Sequence, residues 1–221
     1  MKCIIPCAGE SSRMAFVPKM LIQVKNKPVL THIIDYWSGK VDSFIFVIRR
    51  KDTFYWQFFP ENSAVVFQDS QKGLADAILK AEPYVDGRFI VALGDCLQKG
   101  TFEVTRNQAD LGIGVWKTPC IKETKKSYLV SVDNGLVSHV KEKPKMLAKP
   151  PYNCGMGTYF LDQRVFDYIR NAIVAPGGGD FTAILQNMID DGQLISPIWF
   201  KGKYINVGSP SDISVAEKVL K

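Results

Sequence analysis

The chain has 221 residues, 46% of them hydrophobic and 23% charged, with a formal net charge of +6. That length supports one α/β domain with a proper core and barely two, and the balance is that of an ordinary soluble globular protein. No apolar run approaches the roughly 20 residues of a membrane span, and no basic stripe with interleaved aromatics points to nucleic acid. The positive charge suits polyphosphate handling without requiring it.

Residues 3–7 read as a first strand. Pro6 and Gly9 interrupt the apolar stretch and no cleavage site follows, so a signal peptide is not expected. The five cysteines, Cys3, Cys7, Cys96, Cys120 and Cys154, are scattered, with no Cys-x-x-Cys and only two histidines, His32 and His139. This argues against a zinc site or disulfide framework and fits a reducing cytoplasm. Cys3 and Cys7 are expected to be small core residues. Residues 29–37 follow a proline and have helical spacing. Residues 44–48 and 64–67 are apolar runs of strand length, 74–81 read as a helix, and 89–93 form a third buried run. This alternation predicts a mostly parallel sheet with helices on both faces. The six residues from Phe54 to Phe59 include five aromatics. They read as a short helix pressed on the sheet, the alternative being an exposed partner surface.

The second half changes character. Residues 111–116 read as a strand containing two glycines. Runs at 128–132 and 136–140 flank Asp133-Asn134-Gly135, a strong hairpin signal because Asn-Gly tolerates positive φ. A further strand is predicted at 152–161, and helices at 181–189 and 211–220. The economical organisation is one domain over residues 1–221. It is a Rossmann-like, three-layer α/β/α fold with a mixed, mostly parallel central sheet and a small antiparallel insert.

Ala8-Gly9-Glu10-Ser11-Ser12-Arg13-Met14 follows the first strand. A small-residue loop there lies at the carboxyl end of a parallel sheet, where α/β folds bind ligands. Ala8 and Gly9 let the backbone approach a base or phosphate, and successive N–H groups can cradle an anion. Arg13 supplies a fork of donors matched to phosphate oxygens, and Lys19 adds a point charge. The loop is neither a P-loop nor a dinucleotide fingerprint, and alone it could be a surface turn.

The loop, followed by Pro18-Lys19-x-Leu21 and Lys27-Pro28-Val29-Leu30, resembles in order and spacing the signature of the GT-A-like nucleotidyltransferase superfamily. The usual pattern has glycine where Ser11 stands, and serine there is more similar to the molybdopterin branch. Four later segments resemble the sugar-1-phosphate nucleotidyltransferases. Gln68 with Gly73-Leu74-Ala75-Asp76-Ala77 resembles their base-reading segment, especially in thymidylyl and uridylyl enzymes. A glutamine amide has one acceptor and one donor edge, which can pair N3–H and a carbonyl of uracil or thymine. Leu93-Gly94-Asp95 places a carboxylate at a strand end, suited to a hard cation, and the family binds its catalytic metal there. Lys141-Glu142-Lys143-Pro144 resembles the family's Glu-Lys-Pro element, with Glu142 on sugar hydroxyls and Lys143 on the acceptor phosphate. Asn153 and Gly155 resemble residues lining the sugar pocket, and Asp180 is placed on the same acceptor side. In Tyr204-Ile205-Asn206-Val207-Gly208-Ser209-Pro210-Ser211-Asp212, Asn206 stands where the family normally has its second metal-binding aspartate.

The resemblance implies transfer of NMP, with a lean to UMP or dTMP, from an NTP to a sugar 1-phosphate, with release of pyrophosphate. It implies Mg²⁺ on Asp95 and Asn206. The nucleotide would be held by Ala8, Gly9, Glu10, Ser11, Ser12, Arg13, Gln68, Gly73, Leu74, Ala75 and Gly94. Arg13 would hold pyrophosphate, Lys19 the α-phosphate and Lys143 the acceptor phosphate. The expected partners are an NTP and a small phosphorylated acceptor, with no nucleic acid or membrane, and homo-oligomerisation left open. No acyltransferase activity is expected, for lack of room for a left-handed β-helix. Two alternatives stand beside this reading. One is a cytidylyltransferase for phosphocholine, an alditol phosphate or a phosphonate. The other is a non-catalytic nucleotide-sugar-binding domain. A glycosyltransferase fits less well, since Asp95 is followed by Cys96 and Leu97 and not by an Asp-x-Asp.

Overall fold

The computed structural model describes residues 1–9, 18–70, 72–104, 109–142, 149–174 and 179–220. Strand β1 (Lys2–Pro6) is followed by a two-residue ribbon, β2 (Gln23–Val24) and β3 (Lys27–Pro28). Helix α1 (Val29–Trp37) then buries Val29, Leu30, Ile33, Ile34 and Trp37, the apolar stripe of a 3.6-residue repeat. It stops where the Ser38 hydroxyl donates to the Ile34 carbonyl at 2.8 Å and Gly39 takes φ +76°. Next come β4 (Ser43–Ile48), β5 (Ser63–Phe67), α2 (Gly73–Lys80), β6 (Phe89–Ala92), β7 (Cys96–Glu103) and β8 (Leu111–Thr118). The short α3 (Ile121–Thr124) leads into a hairpin of β9 (Tyr128–Asp133) and β10 (Leu136–Glu142). Its turn puts Asn134 at φ 49° and Gly135 at φ 80°, the left-handed pair the sequence predicts. Strand β11 (Tyr152–Leu161), α4 (Arg164–Ile173), α5 (Phe181–Asp190), β12 (Ile195–Asn206) and α6 (Ser211–Val219) complete the order.

The main sheet runs β5-β4-β1-β6-β11-β8-β12-β7, with β9 joined to β11 and β10 to β9. Pairings from β5 to β6 are parallel, as is β12 with β8. Strand β11 is antiparallel to β6 and β8, and β12 to β7. Side chains alternate between faces. Ile4, Ile45 and Val47 meet α2, α4 and α5 on one side, while Cys3, Ile5, Phe44 and Phe46 meet α1 and α6 on the other. The mixed sheet and three layers are those expected, and Cys3 and Cys7 are buried in the core.

Besides the short β2, β3 and α3, three longer elements went unanticipated. Strand β7 is an edge strand whose second half is only half-buried. Strand β12 contains Pro197 and the polar Lys201-Gly202-Lys203. Helix α4 is rich in charge and buries only Val165, Phe166 and Ile169. Gly100 and Gly202 face each other across β7 and β12 at φ +151° and +150°. A Cβ on either would come within 2.7 Å of the other's Cα. The aromatic segment is a 3₁₀ helix over Thr53–Phe58. Tyr55 is buried and Phe59 stacks on Phe46 at 3.8 Å, but Phe54 and Trp56 face outward. Among the described residues no helix is long and apolar enough to cross a membrane.

Candidate active site

Parallel strands deliver their carboxyl ends to one edge of the sheet. Cys7-Ala8-Gly9 leave β1 there, Gln68 leaves β5, and Leu93-Gly94-Asp95 leave β6. Backbone bonds extend the strands by one residue. The Cys7 N–H donates to Val47 O at 2.7 Å, the Gln68 N–H to Ile48 O at 2.8 Å, and the Leu93 N–H to Gly157 O at 2.7 Å. A cleft of about 410 Å³ opens between these ends, walled by Lys19, Met20, Tyr55, Gly73, Leu74 and Ala77. Met20 covers Gly94 so closely that an added Cβ would lie 2.7 Å from its sulfur. A larger residue there would push the Met20 side-chain tip aside.

The polar groups of this cleft are held from behind. The Lys19 ammonium donates to Asp95 Oδ2 at 2.7 Å. The Cys96 thiol donates to Asp95 Oδ1 at 3.5 Å. It accepts in turn from the Tyr204 hydroxyl at 3.0 Å, which accepts from the Gly157 N–H at 3.1 Å. Burial, and then the Asp95 carboxylate, push the Cys96 thiol well up, so it stays an S–H donor. Buried Gln68 donates from Nε2 to Gly73 O at 3.1 Å and to Asp76 Oδ2 at 2.8 Å. Of its amide, Oε1 then remains to offer a ligand.

A second cleft of about 370 Å³ shares Leu74 and Leu93 with the first. It is lined by Lys126, Tyr128, Glu142, Asp180, Tyr204 and Asn206, among others. Asp180 caps α5, its Oδ1 accepting the Thr182 N–H at 2.8 Å. Lys126 lies 2.6 Å from Asp212 and 3.6 Å from Glu123. Asp212 also accepts from the N–H groups of Gly208 and Ser209 and from the Ser209 hydroxyl, at 2.8 to 3.0 Å. Burial alone would raise the Asp212 carboxyl. Lys126 and these donors outweigh it and hold the group below the usual carboxylate range. For Lys126 burial works downward, and Asp212 and Glu123 reverse it to a net rise. The two clefts meet where Asn206 pairs with Cys96 and the Val207 N–H donates to Asp95 O at 2.8 Å.

The family model described as Nucleotidyl transferase matches residues 12–221. The chain belongs to that family. The bifunctional protein GlmU of Methanococcus maripaludis is 27% identical over 224 residues, covering 96% of this chain and 53% of the relative. This family member thus spans about half the length of the GlmU relatives it matches. The UTP–glucose-1-phosphate uridylyltransferase AglF of Haloferax volcanii is 27% identical over 240 residues, covering 100% of this chain and 97% of AglF. A putative glucose-1-phosphate thymidylyltransferase from Bacillus anthracis, solved with sucrose, shares the fold. Its TM-score is 0.80 at 20% identity, over 99% of this chain and 94% of that one.

Of the family residues expected from the sequence, Ala8, Gly9, Lys19, Gln68, Gly73, Leu74, Gly94 and Asp95 line the first cleft. Glu142, Asp180 and Asn206 line the second. Ala75 is fully buried and packs into the core. Asn153 sits half-buried in β11 opposite Lys117, and Gly155 lies under the Tyr128 ring. Both are outside the two linings. Glu10, Ser11, Ser12, Arg13 and Lys143 fall outside the described residues. The sequence reading gave no role to Lys126 or Tyr128, nor to Asp76 and Asp212, although these last two stand inside the base-reading segment and the Asn206 segment. Lys126 and Asp212 are 86 positions apart and no spacing links them.

Proposed function

We propose that this family member transfers a uridylyl or thymidylyl group from an NTP to a sugar 1-phosphate, releasing pyrophosphate. One observation carries the reading. Two clefts with different chemistry share Leu74 and Leu93; Asp95 lines one and Asn206 the other, and Val207, next to Asn206, bonds to the Asp95 carbonyl. A nucleotide based in the first cleft and a phosphorylated hydroxyl compound in the second would bring an acceptor phosphate oxygen to the α-phosphorus. The substrates of AglF and of the thymidylyltransferase neighbour, as their names give them, belong to the same class.

An acceptor phosphate oxygen attacks the α-phosphorus, a P–O bond forms, and the opposite bond to pyrophosphate breaks. Such transfer asks the protein mainly for position and positive charge. Lys19, bonded to Asp95, supplies a cation within the first cleft. By the sequence pattern Arg13 serves pyrophosphate and Lys143 the acceptor phosphate. Glu142 and Asp180 present acceptors to sugar hydroxyls from the second cleft. The donor set also fits Mg²⁺. Among the described residues no three His, Cys, Asp or Glu side chains form a metal cluster. However, Mg²⁺ usually takes one or two protein oxygens and completes its shell with phosphates and water. Asp95 and the Asn206 carbonyl would hold it, and when bound it would neutralise charge on the reacting phosphates. Asparagine brings one negative charge fewer than the family's usual aspartate.

A pyrophosphate-release screen of all NTPs against sugar 1-phosphates and other phosphate monoesters tests the proposal. UTP or dTTP with a sugar 1-phosphate is expected to give the highest turnover, and Asp95→Ala to cut it about 10²–10³-fold at unchanged fold. CTP with phosphocholine or an alditol phosphate as the best pair would replace this reading with the cytidylyl one. No pyrophosphate from any pair would leave a binding domain.

A further inference from the structure

The Asp76 side chain is buried in the first turn of α2 and is absent from the lining of either cleft. We infer that Asp76 is a positioning residue: it fixes which end of the Gln68 amide meets the nucleobase, and so selects uracil or thymine over cytosine. The inference rests on the reading of the first cleft as the base site.

A glutamine amide has two orientations of nearly equal shape and opposite hydrogen-bonding sense. Nothing in Gln68 itself chooses between them. Its surroundings do. An ionised carboxylate only accepts, and so does a backbone carbonyl. Asp76 Oδ2 stands 2.8 Å from Nε2 and Gly73 O stands 3.1 Å from it. Both N–H groups are therefore drawn inward. Reversing the amide would press Oε1 against two acceptors, one of them the buried Asp76, and a charged partner makes that orientation the costlier one.

The consequence appears at N3 of a pyrimidine. Uracil and thymine carry an N–H there, and cytosine carries a lone pair. Where the amide meets that position, an outward Oε1 accepts from uracil or thymine and repels cytosine. An outward Nε2 would invert the preference. A carboxylate in a first helical turn also complements the helix dipole, but that role alone would leave base preference untouched.

The test measures UTP, dTTP and CTP binding to the full chain by calorimetry, for wild type, Asp76→Ala and Asp76→Asn, with the side-chain amide of Gln68 followed by NMR. Wild type is expected to favour UTP or dTTP at least tenfold over CTP. Asp76→Ala is expected to reduce that ratio about tenfold. Asp76→Asn, which keeps an acceptor oxygen for Nε2, is expected to retain more of it. Equal weakening of all three nucleotides overturns the inference, since a purely structural residue would act that way. A Gln68 amide in wild type that exchanges as fast as an exposed glutamine's also overturns it, whether or not the variants fold. A protected amide with no uracil or thymine preference in wild type instead refutes the base-site reading beneath it.

Discussion

Gly155→Ala tests why this glycine is where it is. The sequence resemblance makes Gly155 a lining residue of the acceptor pocket, whereas the structure makes it the floor beneath Tyr128. An added Cβ would fall within the Tyr128 ring, 2.5 Å from Cε1 and closer still to Cε2 and Cζ. The ring cannot yield cheaply. It is buried, its hydroxyl reaches Met156 O at 3.4 Å, and the neighbouring Ser127 hydroxyl is bonded to Gly155 O. Overpacking of this kind costs about 1–3 kcal/mol, and full interpenetration puts the expectation near the upper end, about 3 kcal/mol. For a chain of this size that lowers Tm by about 6–12 °C. Tyr128→Leu removes the offending ring atoms at roughly 1–3 kcal/mol of its own. In that background Gly155→Ala should cost almost nothing, so the double mutant departs from additivity by about 2–3 kcal/mol. Urea unfolding of the four proteins measures this. A kinetic signature should accompany it. Displacing Tyr128 narrows the second cleft, so acceptor KM rises while nucleotide binding holds. A single-mutant cost below about 0.5 kcal/mol, or an additive double mutant, would refute the steric account.

Two further outcomes are expected. Lys19 and Asp95 are 25% and 18% exposed in their side chains, between the surface and buried regimes, so Lys19→Met should cost about 1–2 kcal/mol. Magnesium chloride should then raise the Tm of Lys19→Met more than that of wild type, because no ammonium competes for Asp95, and should leave Asp95→Asn unmoved. Equal increments in all three would remove Asp95 from the metal site. Asp212 has a folded pKa below its unfolded value. Its contribution is therefore present above the ordinary carboxylate pKa of about 3.9 and is lost as pH falls through the lowered folded value. Lys126, whose upward shift comes from the same carboxylates, stays protonated through that window, so the loss follows Asp212. Asp212→Asn should lose about 2 kcal/mol at pH 7 in urea unfolding. That gap should close in acid, and a gap independent of pH would refute the linkage.

The fold was legible where a segment is buried on a regular face. Helix α1 and strands β4, β5, β6 and β11 were found within a residue or two, because burial forces apolar residues into period 3.6 or into an unbroken run. Strands β7 and β12 escaped because an edge strand and its neighbour carry lysines, glycines and a proline. Their pairing depends on mutual geometry at Gly100 and Gly202 that neither segment shows alone. Helix α4 escaped because its apolar face is narrow. The site follows the same division. Gln68, Gly94 and Asp95 follow buried strands and were legible through order and spacing. Lys126 with Asp212, and the Tyr204 to Cys96 to Asp95 chain, join residues far apart in sequence. Only the assembled sheet puts them together.

The meeting of Asp95 with Asn206 has a consequence in time. A ribosome adds about 5–20 residues per second, and roughly a hundred residues separate the two. For on the order of ten seconds β7, which begins just after Asp95, can exist without β12, its neighbour in the sheet. Strand β12 must then arrive between β8 and β7 and thread its register from Ile195 to Asn206. Until it does, Tyr204 is absent from its place behind Cys96, and β7 and β8 both stand open. In a nascent or stalled chain, those two strands are the surface a chaperone or a second copy would meet first.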